Sequence, residues 1–142
     1  MPTSTANAVW EGGLRTGNGK FTAQSGAFQG NYSFGTRFEG EKGTNPEELI
    51  AAAHAACLSM ALAAGLEQAG TPATRIATTA KCTVEKVGDG FKITRMNLEV
   101  RGQVPGIDAA GFAKAAEAAR DGCPVSTALK GNVDLVLDAR LA

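Results

Sequence analysis

The residues of this chain best suited to chemistry are two cysteines in contrasting settings. Cys57 ends a nearly all-apolar stretch, EELIAAAHAAC at residues 47–57, whereas Cys123 lies between Gly122 and Pro124, where a helix is predicted to begin. A thiol at a helix N-terminus is exposed and acidified, but burial inside an apolar helix usually makes a thiol inert. These rules favour Cys123 as the reactive thiol. If the two thiols meet in space, they form a redox pair; if they do not, the chain is an α+β domain without an evident function.

The remaining cysteine and the single histidine are predicted to be structural. Cys82 falls on the inward face of an alternating strand, and His54 shares a helix face with Cys57 three residues later. Together with Cys123 they suggest a zinc site, but the paired cysteine spacings of such sites are missing. We therefore expect no metal, a core role for Cys82, and a packed, hydrogen-bonded His54.

Arg37 and Glu47 are two charged residues in suggestive positions. Each has a simple explanation, since Arg37 suits a strand surface and Glu47 suits the positive end of a helix dipole. Glu47 and Cys57 are separated by about 15 Å along one helix, because each residue adds about 1.5 Å. They cannot meet within one straight helix. If both serve one site, that site lies at an interface with a second subunit.

Length, charge and cysteine content narrow the class of protein. With 142 residues, the chain is predicted to form a single domain, 1–142. It has 14 basic and 14 acidic residues, and this zero net charge argues against nucleic acid or an anionic membrane as partner. Three cysteines and no evident signal peptide predict a cytoplasmic protein. Residues 49–66 are apolar enough to raise the question of a membrane span, but their alanine, His54, Ser59 and Gly65 favour a helix buried in protein.

The order of elements is predicted from turns, caps and periodicity. A hairpin joins residues 8–10 to 20–23, further extended segments cover 32–34 and 36–38, and a long helix runs from the Asn45 cap to Gln68. The later elements, predicted from turn residues and alternating apolar residues, are two strands at 75–87 and 91–100 with a bulge near 94–95, a helix from the Asp108 cap to Arg120, a short helix from Cys123 to Gly131, and a strand at 133–137.

Five sequence segments resemble the OsmC/Ohr family, the osmotically inducible and organic-hydroperoxide-resistance proteins of bacteria. They span nearly the whole chain and are WEG at 10–12, TRFEGEKGTNPEELI at 36–50, AHAACLSMAL at 53–62, VPGID at 104–108 and GCPVS at 122–126. The segment at 36–40 and the position of His54 resemble the OsmC branch more than the Ohr branch.

The resemblance implies an α+β fold and a thiol peroxidase that reduces organic hydroperoxides in oxidative and osmotic stress defence. The fold would be an intertwined homodimer with long central helices enclosed by antiparallel-rich β-sheets and with two sites at the interface. Cys57 would attack the peroxide and become a sulfenic acid, and Cys123 would resolve it as a Cys57–Cys123 disulfide. This reverses the roles that the helix rules gave the two cysteines.

The resemblance also assigns roles to Arg37 and Glu47. Arg37 would lower the pKa of the Cys57 thiol enough to offset burial, and Glu47 would hold the guanidinium group by a bidentate ion pair. No cofactor or metal is implied, because an external dithiol or lipoylated-protein reductant would regenerate the thiols.

The expected substrate pocket has an apolar lining, which would favour organic peroxides over hydrogen peroxide. Its candidate lining residues are Phe38, Leu58, Met60 and Ile107. The alternative to an enzyme is a non-enzymatic dimeric stress protein, or a binder of small hydrophobic molecules, whose thiols are incidental.

Overall fold

The computed structural model describes all residues 1–142 and contains six strands and four helices. In chain order they are β1 (Ala6–Glu11), β2 (Asn18–Ala23), β3 (Gln29–Tyr32), α1 (Phe34–Phe38), α2 (Pro46–Gln68), β4 (Arg75–Val87), β5 (Gly90–Gln103), α3 (Ala109–Gly122), α4 (Pro124–Leu129) and β6 (Asp134–Leu141). Residues 1–49 and 50–142 form two compact units. The α+β class is confirmed, and the single-domain assignment stays a prediction.

The first unit is built on a three-stranded antiparallel sheet in the order β1-β2-β3. Strand β2 alternates exposed and buried residues, so that Phe21 and Ala23 face inward. The ring of Tyr32 packs against Phe21 and Trp10, with centroids 6.1 and 5.5 Å apart. The predicted hairpin between residues 8–10 and 20–23 is therefore confirmed.

The predicted extended segment at residues 36–38 is wrong, because these residues belong to helix α1. The Ser33 hydroxyl accepts a hydrogen bond from the Thr36 backbone N–H at 3.1 Å, and the Thr36 hydroxyl accepts one from the Ser33 N–H at 2.9 Å. This reciprocal capping box satisfies two backbone donors at the start of the helix. It outweighs the strand preference of Thr36 and Phe38 and places Arg37 in a helical turn.

Helix α2 begins and ends where the sequence predicts. The Asn45 side chain accepts a hydrogen bond from the Glu48 N–H at 2.8 Å, and Pro46 occupies the first turn, where a missing N–H costs nothing. The helix ends at Gln68, before Gly70 turns the backbone into the left-handed region at φ +83°.

Only one stripe of α2 is buried in the chain. His54, Leu58, Leu62 and Leu66 recur every four residues and are fully buried. Of the most apolar 18 residues of α2, only 22% are buried, so the helix is less enclosed than predicted. By length and composition alone it could cross a membrane, but the core helix of a soluble protein meets the same criteria.

The second unit contains a three-stranded sheet in the order β4-β5-β6. Strands β4 and β5 pair antiparallel, and β6 pairs parallel to β5 after the chain has passed through α3 and α4. The register shifts between Thr83 and Val84, opposite Arg95 and Ile93, which leaves Thr94 as the extra residue. The predicted bulge is therefore confirmed.

The core of the second unit lies among α2, β5 and α3. Its central side chains, from those three elements in turn, are Leu58, Leu62, Leu66, Met96, Leu98, Val100, Phe112, Ala116 and Ala119. Cys82 on β4 is partly buried and packs against this cluster, as the alternation of the strand predicts.

The two short helices position the second cysteine. Helix α3 begins after Asp108, whose side chain accepts the Gly111 N–H at 2.7 Å, and it runs two residues past the predicted end at Arg120. Cys123 ends α3 and caps α4. Helix α4 ends at Leu129 instead of Gly131, and β6 extends four residues beyond the predicted 137.

Candidate active site

Arg37 and Glu47 form a close ion pair in the first unit. Arg37 Nη2 lies 2.6 Å from Glu47 Oε1, and Arg37 Nε donates to Oε1 at 3.0 Å and to Oε2 at 3.2 Å. The Glu47 side chain is 7% exposed and that of Arg37 is 37% exposed. Glu47 is therefore a buried anchor that fixes a guanidinium group which still reaches solvent. The expected ion pair is confirmed; its role in a reaction stays a prediction.

Asn45 sets the spacing between these two charged side chains. Its Oδ1 caps α2, while its Nδ2 donates to the Thr36 carbonyl oxygen in α1 at 3.2 Å. One side chain therefore ties the turn that carries Arg37 to the turn that carries Glu47. The ring of Phe38 adds a contact, since the Arg37 guanidinium carbon lies 5.2 Å from its centroid.

The two thiols meet within the second unit. Cys57 on α2 makes a side-chain hydrogen bond with Cys123 and interacts with the backbone of Val125 in α4. All three cysteines are thiols in the structure. The structure therefore brings together the two cysteines that the sequence singled out, one from the long helix and one from the start of α4.

Their exposure is the reverse of what the helix rules predict. Cys123 caps α4, but its side chain is fully buried, and its Sγ accepts the Ser126 N–H at 3.3 Å. Cys57 is partly exposed. The expectation that Cys123 is the exposed thiol is wrong, because the capping geometry turns the sulfur toward the core and away from solvent.

Burial raises the pKa of the Cys57 thiol. The hydrogen bond with the Val125 backbone lowers this pKa, whereas the hydrogen bond and charge interaction with Cys123 raise it further. These groups alone keep Cys57 protonated at neutral pH. The lowering by Arg37 that the resemblance implies stays a prediction.

His54 and Ser126 form a buried polar pair beside the thiols. His54 Nε2 lies 2.7 Å from Ser126 Oγ, and Cys123 Sγ donates to the same Oγ at 3.1 Å. His54 is packed and hydrogen-bonded, as predicted, and its burial lowers its pKa. Ser126 was not predicted as a site residue. The sequence does carry one signal for Ser126: it lies three residues after Cys123, and a helix cap commonly bonds the residue three positions later.

The four residues predicted to line a pocket lie in different settings. Leu58 is buried in the core, Met60 is exposed, and Phe38 is half-buried against the ring of Phe34. Ile107 lines a groove of about 700 Å³ between the C-terminal half of α2 and α3. Most of the residues that line this groove are alanine and glycine. The assignment of these four residues to a substrate pocket stays a prediction.

Metal-ligating side chains do not gather anywhere in the chain. No group of three or more histidine, cysteine, aspartate or glutamate residues is placed to hold an ion. His54 and Cys123 are linked through hydrogen bonds to one group, the Ser126 hydroxyl.

Sequence comparisons give one family. The profile of the OsmC-like protein family matches residues 39–138, a range that includes Glu47, Cys57 and Cys123 and begins two residues after Arg37. The chain is 52% identical over 129 residues to the peroxiredoxin OsmC of Escherichia coli K12, covering 90% of each protein. It is 34% identical over 100 residues to the organic hydroperoxide resistance protein of Xanthomonas axonopodis pv. citri, covering 69% of this chain and 68% of that protein.

Solved structures agree with this match. The organic hydroperoxide resistance protein OhrB of Bacillus subtilis superposes with a TM-score of 0.77 at 29% identity, covering 96% of this chain and 98% of that one. The organic hydroperoxide resistance protein of Elizabethkingia anophelis gives a TM-score of 0.81 at 26% identity, covering 100% and 98%. From the profile match over most of the chain and the 52% identity to OsmC, we conclude that this chain belongs to the OsmC-like protein family.

Proposed function

We propose that the chain is a thiol peroxidase that reduces organic hydroperoxides to alcohols. The observation that carries this proposal is the contact between Cys57, which is partly exposed, and Cys123, which is buried. A peroxidase of this kind needs one thiol that peroxide reaches and a second thiol close enough to form a disulfide with it. The names of the relatives, peroxiredoxin and organic hydroperoxide resistance protein, support the same activity.

The reaction begins at Cys57. Its thiolate attacks the terminal peroxide oxygen, so that an S–O bond forms and the O–O bond breaks. The alkoxide leaves and takes up a proton to become the alcohol, and Cys57 is left as a sulfenic acid. Sulfur supplies the two electrons that reduce the peroxide, so no metal or prosthetic group takes part in this step.

Cys123 then resolves the sulfenic acid. Its sulfur attacks Cys57, the S–S bond forms, the S–O bond breaks, and the hydroxyl leaves as water. An external dithiol or a lipoylated protein returns the disulfide to two thiols by exchange. This step protects Cys57 from further oxidation by a second peroxide molecule.

Arg37 supplies the positive charge that this mechanism requires. Because burial and Cys123 both raise the pKa of Cys57, a cation close to the sulfur is needed to hold a thiolate at neutral pH. Glu47 keeps the guanidinium group in one orientation through its two carboxylate oxygens.

Two features support a homodimer: the exposed apolar surface of α2, and the long distance along this helix between Glu47 and Cys57, which a second chain has to bridge if both serve one site. A second chain that covers this surface would enclose the central helices, as the intertwined fold requires. We place this dimer in the cytoplasm, where reduced thiols persist and dithiol reductants are available.

The activity is tested by the consumption of tert-butyl or cumene hydroperoxide in the presence of a dithiol. The wild-type protein should consume the peroxide and release the alcohol, and Cys57→Ser should lose this activity. Cys82→Ser is the matched control, since Cys82 packs against the core, and it should retain the activity. Equal rates for the wild type and Cys57→Ser would exclude the mechanism.

The alternative function is the binding of small hydrophobic molecules. The groove between α2 and α3 favours it, because a volume of about 700 Å³ with small apolar residues lies within the range of ligand sites. Binding of a fluorescent apolar probe that Cys57→Ser leaves unchanged, in a protein without peroxidase activity, would favour this alternative.

A further inference from the structure

The buried polar groups beside Cys123 have no role in the steps above. His54 and Ser126 are at most 1% exposed, yet both carry side chains that must form hydrogen bonds to be tolerated in a core. Replacing such a pair with apolar residues costs a fold little or nothing, so their position against a reactive sulfur calls for an explanation.

These groups form a continuous line of hydrogen bonds. Cys123 Sγ donates to Ser126 Oγ at 3.1 Å, and Ser126 Oγ lies 2.7 Å from His54 Nε2. The Ser126 N–H also reaches the sulfur, at 3.3 Å. The line crosses from α4 to α2, between residues 72 positions apart in the chain. At its far end, His54 Nδ1 is buried without a hydrogen-bond partner.

We propose that His54 is a positioning residue that accepts, through the Ser126 hydroxyl, the proton that Cys123 must lose when it resolves the Cys57 sulfenic acid. This proposal rests on the proposed function, because it concerns the second step of that reaction. It assigns Ser126 as a catalytic residue in direct contact with the reacting sulfur.

The proton balance of the step is complete. The Cys123 S–H bond breaks as its proton moves to Ser126 Oγ, and the Ser126 proton moves to His54 Nε2, which leaves a thiolate and an imidazolium. The thiolate attacks the Cys57 sulfur, the S–S bond forms, and the S–O bond breaks with loss of hydroxide. The proton returns from His54 Nε2 through the Ser126 hydroxyl and neutralises the hydroxide to water, so no other acid is consumed.

Two features make the relay suitable for a buried thiol. Burial lowers the pKa of His54 and keeps the ring neutral, and in the tautomer with its proton on Nδ1, Nε2 has a lone pair that accepts the Ser126 proton. After the transfer, the new thiolate accepts hydrogen bonds from the hydroxyl and the backbone N–H of Ser126. The Cys57 thiol on α2 interacts with Cys123 at the start of the relay, and Arg120, Asp121, Lys130 and Asp134 line a cavity together with Ser126.

The two steps of the first turnover are separable in a quenched-flow experiment. One equivalent of tert-butyl hydroperoxide is added to the reduced protein, and alcohol, dimedone-trapped Cys57 sulfenic acid and the Cys57–Cys123 disulfide are measured with time. His54→Gln retains a hydrogen-bonding side chain that cannot accept a proton. Ser126→Ala breaks the line at its centre, and Ser126→Thr restores a hydroxyl group.

We expect His54→Gln and Ser126→Ala to release alcohol at the wild-type rate but to form the disulfide more slowly, by roughly 10²-fold. Their sulfenic acid should accumulate and overoxidise with excess peroxide, and the double variant should be no slower than either single variant. Ser126→Thr should recover the rate of disulfide formation. Ser59→Ala, which removes a hydroxyl from α2 that bonds to Thr78 and not to the relay, is the matched control and should leave both steps unchanged.

Disulfide formation at the wild-type rate in both folded variants would overturn the proposal. Equal slowing of alcohol release and disulfide formation would also overturn it, since that result indicates a structural role. If His54→Gln does not fold, Ser126→Ala and Ser126→Thr decide the question alone. Failure of the wild type to release alcohol would instead contradict the proposed function.

Discussion

At the scale of single residues, the burial of each sulfur separates the roles of the two thiols. Cys57 is partly exposed and Cys123 is buried beside Ser126, so in the proposed reaction peroxide reaches Cys57, and Cys123 is protected from direct oxidation. The partial burial of Cys57 raises the pKa of its thiol, so the more exposed of the two thiols is not an acidic one. Cys57 therefore needs a cation close to its sulfur to form a thiolate, and we propose that Arg37 supplies this charge.

The burial of His54 predicts a loss of stability in acid. In the unfolded chain the histidine takes up a proton as the pH falls below its ordinary pKa of 6.5, while the folded histidine, whose pKa is lower, stays neutral. The contribution to stability is fully present above pH 6.5 and declines as the pH falls toward the lowered pKa. Urea unfolding of the reduced protein at a series of pH values measures it.

The matched variant for this prediction is His54→Gln, which lacks a titrating side chain. The difference in unfolding free energy between wild type and variant should shrink as the pH falls below 6.5. A difference that stays constant through this range would show that the pKa of His54 is not lowered.

At the scale of elements, two helix starts build the Arg37–Glu47 pair. The capping box of Ser33 and Thr36 forms α1, and Asn45 caps α2 while holding the end of α1. The ion pair therefore depends on local hydrogen bonds that fix both backbones before the side chains meet. Such a pair positions a charge more firmly than two long side chains on separate loops.

Glu47→Gln should lower kcat/KM for organic hydroperoxide by roughly tenfold or more. The amide keeps the shape of the carboxylate but loses its charge and one acceptor, so the guanidinium group is held less firmly, and small misplacements near a reacting atom are costly. Glu48→Gln is the control, since Glu48 is adjacent and exposed, and its activity should be unchanged.

Glu47→Gln should also lower the free energy of unfolding by about 1–3 kcal/mol. We expect a value at the lower end of this range, because the Arg37 side chain is partly solvated. Urea unfolding of both variants gives this value. A Glu47→Gln protein that is as active and as stable as the wild type would contradict the proposed role of the ion pair.

Several elements were predictable because their signals are local. The Asn45 cap with Pro46, the Asp108 cap and the extra residue in β5 are each set by a few neighbouring residues. Helix α1 was not predicted, because alternating Thr36, Arg37 and Phe38 favour a strand and the two capping hydrogen bonds reverse that preference.

The site was predictable only in part. The sequence settings singled out both cysteines, but the helix rules gave Cys123 the exposure that belongs to Cys57, since a cap position does not reveal which side packs against the core. The hydrogen bond between His54 and Ser126 joins residues 72 positions apart, and no local pattern predicts it.

At the scale of the whole molecule, the exposed apolar surface of α2 favours a partner. Few of its most apolar residues are buried within the chain, and Met60 is 76% exposed. Large contiguous apolar surfaces on soluble chains mark interaction sites, and a second copy of this chain is the partner that the proposed mechanism needs.

We predict that the protein sediments at twice the mass of one chain in dilute solution. Met60→Glu places a charge on the apolar surface and should shift the equilibrium toward the monomer with a loss of peroxidase activity, whereas Met60→Leu should remain dimeric and active. Analytical ultracentrifugation of the three proteins makes the comparison. A monomeric and fully active wild type would contradict the dimer.

The central claim is that Cys57 and Cys123 are one redox pair, and mass spectrometry tests it most directly. The reduced protein is treated with one equivalent of tert-butyl hydroperoxide, its remaining thiols are alkylated under denaturing conditions, and its peptides are mapped. We predict a peptide in which Cys57 is linked to Cys123, with Cys82 alkylated. A disulfide that contains Cys82, or a protein in which Cys57 is still a thiol after the peroxide has been consumed, would contradict the account.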